Sequence, residues 1–279
     1  MTTRKKTGQI ITIMVLSLLA FLFLVPIVLV LINSFKSRLF ISGEPFSLPN
    51  ADTFVGLENY INGLTSSGML AAMGRSFFIT ISSVLLIVIA TSMTAWYIVR
   101  SKSKLTKILY YFFVFSMIVP FQMVMFTMIY VVNQLQLNNL FGIVLVYLGF
   151  GSGLSVFMLS GFIKAIPLEI EEAATIDGCN PLQTFFRVVL PMLKPTAITV
   201  AILNTMWIWN DYLLPYLVLG TDNNTMPVAI QLAMQGAYGA TDYGGFMAML
   251  VIAIIPIVVF YLIGQKYIIK GVISGAVKG

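Results

Sequence analysis

The chain has 279 residues, of which 59% are hydrophobic and 9% charged, with a formal net charge of +6 and no histidine. A soluble domain carries about 25% charged residues, so a surface this poor in charge excludes a globule that faces water on every side and leaves the bilayer as its solvent. The absence of His and the single cysteine, Cys179, exclude a histidine general base and an internal disulfide and leave no ligand set for a metal or haem; no G-x-x-x-x-G-K-[ST] run occurs, which excludes ATP binding through a P-loop.

A helix needs about 20 apolar residues to cross a hydrocarbon core of about 30 Å. Residues 1–9 form a basic N-terminus, and Ile10–Ile32 is the first predicted span. Its apolar run is too long for a signal-peptide core and no small-x-small cleavage site follows, so it is expected to remain uncleaved. Residues 33–76 form a long loop carrying Glu44, Asp52 and Glu58 with Phe54 and Tyr60. A five-helix core over 77–263 follows, with spans at Phe77–Val99, Ile108–Val132, Ile143–Ile163, Thr196–Leu219 and Phe246–Ile263, and residues 264–279 form a tail. The fourth span is diluted by Gly149, Gly151, Gly153 and Gly161; small residues let helices approach closely in lipid, so it is expected in the interior of the bundle. The expected fold is therefore an all-α, polytopic, six-span membrane protein.

Charge orients it. Arg4, Lys5, Lys6, then Arg100, Lys102, Lys104, Lys107, then Lys164, Arg187, Lys194, and finally Lys266, Lys270, Lys278 fall on one side, against Lys36, Arg38 and Arg75 on the other. Basic residues stay cytoplasmic, which predicts both termini inside and requires an even number of spans. The net positive charge is thereby accounted for by topology, with no need of a nucleic acid.

The internal loop 164–194 has its own pattern. Pro167 suits the start of a helix, Glu169, Glu171 and Glu172 complement its positive end, and Gly178 suits the left-handed residue that ends it. Asn180 and Pro181 then cap and open a second short helix, expected to run to Pro191. Ile170, Ala173, Ala174 and Asp177 share one face, thin enough either to enter a partner's groove or to rest on the chain's own membrane domain.

Glu172-Ala173-Ala174, three residues, Gly178, nine residues, Val188, one residue and Leu190-Pro191 resembles the EAA loop of ABC importer permeases, with Val188 in place of Ile. Trp209-Asn210-Asp211 resembles a signature of the carbohydrate branch, as do Pro120-Phe121-Gln122 and the tail from Gln265 to Gly279. The chain is thus similar throughout to the MalG-like permeases, whose fold is called MetI-like. The resemblance implies an importer of a carbohydrate at the cell membrane, working by alternating access beside a second permease. It implies an extracellular solute-binding protein and two ATPase subunits that hold the ATP and Mg²⁺, with no cofactor in this chain. It places Glu172, Ala173, Ala174, Asp177, Gly178, Leu190 and Pro191 at the ATPase contact, and Gly275, Ala276 and Lys278 between the ATPases.

Gln122, Asn204, Trp207 and Asn210 either line a solute path or pack between helices. Asp211, the clearest charge within a span, either caps a helix broken at Pro215 or faces the path. An ion-coupled secondary transporter is the alternative; it would need a chain of intramembrane acids, and Asp211 stands nearly alone. A membrane-embedded enzyme would need a nucleophile–base pair that is not apparent.

Overall fold

The computed structural model describes residues 2–66, 68–101, 103–235 and 242–276, with side chains described over 8–65, 68–101, 103–235 and 242–265. The architecture is all-helical; the isolated bridge between Lys36 and Phe54 is the β feature found among the described residues. The chain forms two compact units, one of Met1–Leu70 with Ala229–Pro256 and one of Ala71–Val228 with Ile257–Gly279.

In the first unit, α1 (Thr2–Asn33) is a single long helix whose apolar side chains, from Ile10 to Leu31, are outward. α2 (Arg38–Ile41) and α3 (Glu58–Ser66) follow. The intervening segment is folded around polar contacts: Asn59 donates to the carbonyls of Ser34 and Lys36, both at 2.8 Å. Lys36, one of the three basic residues counted on the minority side, is fully buried and donates to the Glu44 carbonyl at 2.8 Å and to Ser47 Oγ at 3.1 Å. A buried ammonium needs such acceptors, because an unpaired one would be neutralised or expelled.

In the second unit the core gathers around α7 (Leu140–Ile163), which packs against α5 (Lys104–Ser116) and α10 (Leu190–Asn210). α4 (Met69–Ser101) contributes Ile79, Ile87 and Ala95 to the same core. Two of the α7 glycines are needed at that position. A Cβ on Gly151 would lie 2.6 Å from Ile87 Cδ1 and 2.8 Å from Asn204 Oδ1, and one on Gly153 2.8 Å from the Phe113 carbonyl oxygen. Gly149 and Gly161 have open space, so the expectation of a closely packed fourth span holds for two of its four glycines.

Three expectations are corrected. The third span is not one helix over Ile108–Val132: α5 ends at Ser116, α6 (Phe121–Gln134) begins after Pro120, and the two are bent by 110°. Pro120 lacks the N–H that a continuing helix requires and disfavours helical backbone at Val119. α5 and α6 have 13 and 14 residues, about 20 Å each at 1.5 Å per residue, so neither alone crosses the core. Among the described residues, five helices are long and apolar enough to span, six when the bent pair is taken as one.

The second loop helix does not stop at Pro191. α9 (Pro181–Thr184), a π-helical segment (Phe185–Val189) and α10 form one rod, Pro181–Asn210. Pro191 withdraws a donor and its ring crowds the preceding turn, and the wide turn just before it accommodates both. Finally, the fifth span breaks at Asp211–Tyr212 rather than at Pro215, which lies in the first turn of α11 (Leu213–Leu219). α12 (Met226–Met234) and α13 (Tyr243–Ala276) complete the chain. α13 continues as helix through most of the expected tail.

Candidate functional site

The first short helix of the loop between α7 and α10 is α8 (Glu169–Ile176). Its end is built as expected from Gly178, which has φ +87°, a conformation open to glycine and strained for other residues. The Cys179 N–H donates to the Ala174 carbonyl and the Gly178 N–H to the Thr175 carbonyl, both at 3.0 Å, the paired bonds of a Schellman cap. Asn180 and Gln183 then cap α9 reciprocally at 2.9 Å in each direction, with Pro181 in its first turn.

Two faces of α8 differ. Glu171 and Ala174 are buried against the chain itself, whereas Glu172, Ala173 and Asp177 are exposed. Ile176 is 86% exposed and Ile170 38%. Ala174, counted with the outward face from its spacing, therefore belongs to the inward one. A cleft of about 570 Å³ adjoins α8, lined by Glu171, Glu172, Thr175, Ile176 and Cys179 among others. Leu190 and Pro191 lie at the start of α10, with Pro191 exposed. Gly275 and Ala276 are the last residues of α13, described by backbone alone; Lys278 lies outside the described residues.

Three residues, none of them expected in this role from sequence, hold α8 in place. Glu171 accepts from Arg100 Nε at 2.9 Å, Arg100 Nη2 at 2.7 Å and Trp96 Nε1 at 2.8 Å. Arg100 carried only a topological meaning in the sequence. The available signal was its four-residue spacing from Trp96, which puts both on one face of α4.

The polar residues of the spans separate. Asn204 is buried, and its amide nitrogen donates to Ser155 Oγ at 3.2 Å and to the Val200 carbonyl at 2.9 Å. It ties α10 to α7, the packing role the sequence left open. Asp211 is a cap: its Oδ1 accepts from the N–H groups of Leu213 and Leu214 at 3.1 and 3.3 Å, and its Oδ2 from the Tyr147 hydroxyl at 3.1 Å. Trp207 is 38% exposed and meets the Tyr147 ring edge-on at 5.4 Å. Asn210 is exposed, with its amide bonded to the Met206 carbonyl at 2.7 Å. Gln122 is exposed in the first turn of α6. Trp207 and Asn210 thus lie one turn apart at the end of α10, while Gln122 belongs to a different helix, α6.

Comparison with known proteins fits this arrangement. The model of the family "Binding-protein-dependent transport system inner membrane component" matches residues 87–274, a stretch that includes α8 and both ends of α10. The "Probable starch degradation products transport system permease protein AmyC" of Thermoanaerobacterium thermosulfurigenes is 39% identical over 261 residues, 93% of either chain. The multiple sugar-binding transport system permease protein MsmG of Streptococcus mutans is 36% identical over 92% of either chain. The melibiose/raffinose/stachyose import permease protein MelC of Bacillus subtilis is 32% identical over 99% of either chain. Among solved structures, a chain of a bacterial ABC transporter involved in the import of the acidic polysaccharide alginate shares the fold with a TM-score of 0.81, at 20% identity, over 96% of this chain and 98% of that one. With a family model covering two thirds of its length and relatives matched nearly end to end, this chain belongs to the binding-protein-dependent transport system inner membrane components, the multi-pass permease subunits of ABC transporters.

Proposed function

We propose that this permease carries a neutral oligosaccharide into the cell by alternating access, as one of two related permeases served by an extracellular solute-binding protein. Two ABC ATPases supply ATP and Mg²⁺ chemistry, and each receives one short helix from a permease, here α8. Glu172, Ala173, Asp177 and Gly178 form the contact, Leu190 and Pro191 begin the rod that carries movement onward, and Gly275, Ala276 and Lys278 extend toward the ATPases. In this arrangement residues 1–9, 164–194 and 264–279 are cytoplasmic and 33–76 is extracellular.

The observation that carries the proposal is α8 itself. A helix whose Ala173 and Ile176 face outward, ended by a left-handed Gly178, has an apolar face prepared for a groove on another molecule. A neutral solute is favoured by the exposed groups near the end of α10, an indole and a carboxamide with no free charge: Trp207 suits the face of a sugar ring and Asn210 its hydroxyls. The names of AmyC, MsmG and MelC, all sugar transport permeases, support the same class. Ion coupling is disfavoured because the Asp211 carboxylate is already engaged by Tyr147 and the α11 backbone.

The test is purification from membranes in mild detergent, followed by reconstitution into vesicles. A second permease and an ATPase should accompany the chain, and uptake of labelled malto- or raffinose-type oligosaccharides should require ATP and the binding protein. Uptake by the isolated chain, or driven by a proton gradient, would sink the proposal.

A further inference from the structure

α8 is fastened to its own chain by charge more than by apolar contact. Of its eight residues the buried ones are Glu171 and Ala174, so one methyl group supplies its buried apolar side chain. Glu171, by contrast, is fully engaged. Its Oε1 accepts two bonds from the Arg100 guanidinium and its Oε2 accepts one from the Trp96 indole. Arg100 Nη2 also donates to the Ile166 carbonyl at 3.0 Å, in the segment that leads into α8. Trp96 in turn packs on Phe185 with ring centroids 5.6 Å apart, and Phe185 opens the π-helical segment of the 181–210 rod. Three elements therefore meet at one joint: the last turns of α4, the helix α8, and the beginning of the rod.

The joint is shielded. The Arg100 and Glu171 side chains keep 19% and 8% of their exposure, so solvent and salt weaken the pair less than they would a surface pair. Several charge-assisted bonds from two donor groups also fix orientation, which one salt bridge would not. α4 is reached from α8 through Glu171 and from the rod through the Trp96–Phe185 ring contact. α8 leads directly into the rod through the turn at Gly178, but α4 lies 71 residues away in sequence at the Arg100–Glu171 contact. Displacement of α8 reaches α4 side chain to side chain.

We propose that Arg100, Glu171 and Trp96 are positioning residues for transport: their joint converts movement of α8 into movement of α4 together with the rod, so that two spans respond to one push. The inference rests on the reading of α8 as the ATPase contact. Coupling differs from simple support in its readout, since lost coupling lowers solute moved per ATP while the ATPases stay bound.

The test uses the complete importer with its binding protein in proteoliposomes, comparing native protein with Arg100→Gln and Glu171→Gln. Each variant is expected to retain its ATPases and basal hydrolysis within about twofold, while solute taken up per ATP falls about tenfold. The double variant should be no worse than the poorer single one, because members of one network do not act additively. Uptake per ATP within about twofold of native in either variant, or a loss in the double equal to the product of the singles, overturns the proposal. Should a neutral variant fail to assemble, Arg100→Lys decides. It keeps the charge and loses the rigid fork; uptake per ATP reduced about threefold supports the joint, and unchanged uptake overturns it. Ala173→Arg, on the outward face, reports separately on docking: ATPases retained there would sink the docking reading, whereas the joint fails only on coupling with docking intact.

Discussion

Ala173 and Ala174 are neighbours in the chain and face opposite ways, and the difference is testable one side chain at a time. Ala173 is exposed on α8, and Ala174 is 8% exposed against the chain's own fold. Arginine at 173 is expected to change the permease's own stability by no more than about 0.5 kcal/mol, as at most exposed sites, and to abolish recovery of the ATPases in a pull-down. Arginine at 174 places a charge where a methyl sits, without a partner, and buried unpaired charge is strongly destabilising. That variant is expected to lose monodisperse protein on gel filtration before any question of docking arises. Equal behaviour of the two variants in both assays would contradict the two-faced helix. Helical spacing alone assigned both alanines to one face. The burial of Glu171 beneath Arg100 and Trp96 sets the true rotation of α8, and that contact joins residues 71 apart, beyond the reach of any local pattern.

At the scale of elements, the helices that sequence located best are those whose signal is continuous. α1, α4, α7 and α13 each overlap the apolar stretch expected of them, because about 20 apolar residues in a row have few other uses. The helices it located worst are broken by local chemistry. Pro120 ends the continuity of the third span, Asp211 rather than Pro215 marks the break in the fifth, and Pro191 is carried within a helix. A proline in a hydrophobic run either breaks the helix or is tolerated after a wide turn, and neighbouring packing decides which. The glycines of α7 show the same division. Gly153→Ala would bring its Cβ within 2.8 Å of the Phe113 carbonyl oxygen on α5, whereas Gly149→Ala meets nothing within 4 Å. Overpacking of this kind costs about 1–3 kcal/mol, while alanine in an open helical position gains up to about 1 kcal/mol over glycine. The melting temperature of the purified complex is expected to fall for Gly153→Ala and to hold or rise for Gly149→Ala. The reverse order would show that the close approach of α5 and α7 is not a real constraint.

For the whole molecule, the class of the protein was legible from composition and from one twenty-residue motif, since a charge content of 9% admits little besides a membrane protein. The solute path was much less legible. Asn204 looked the same in sequence whether it faced water or Ser155, and only the burial of its amide distinguishes the two. The proposed orientation rests on the distribution of Lys and Arg, which is a property of the entire chain and of no single residue. With thirteen basic residues named above on one side and three on the other, reversing the protein would translocate many more positive charges, each strongly resisted near the ends of a span. Even if the buried Lys36 is left out of the count, because its charge is satisfied within the fold, the asymmetry only widens. A cysteine placed at Ser37 or Asp52 in a Cys179→Ser background is therefore expected to react with a membrane-impermeant maleimide on intact cells. A cysteine at Glu172 is expected to react only after the membrane is opened. Labelling of position 172 from outside would invert the protein, remove α8 from the compartment that holds ATP, and with it the reason for an ATPase to meet that helix at all.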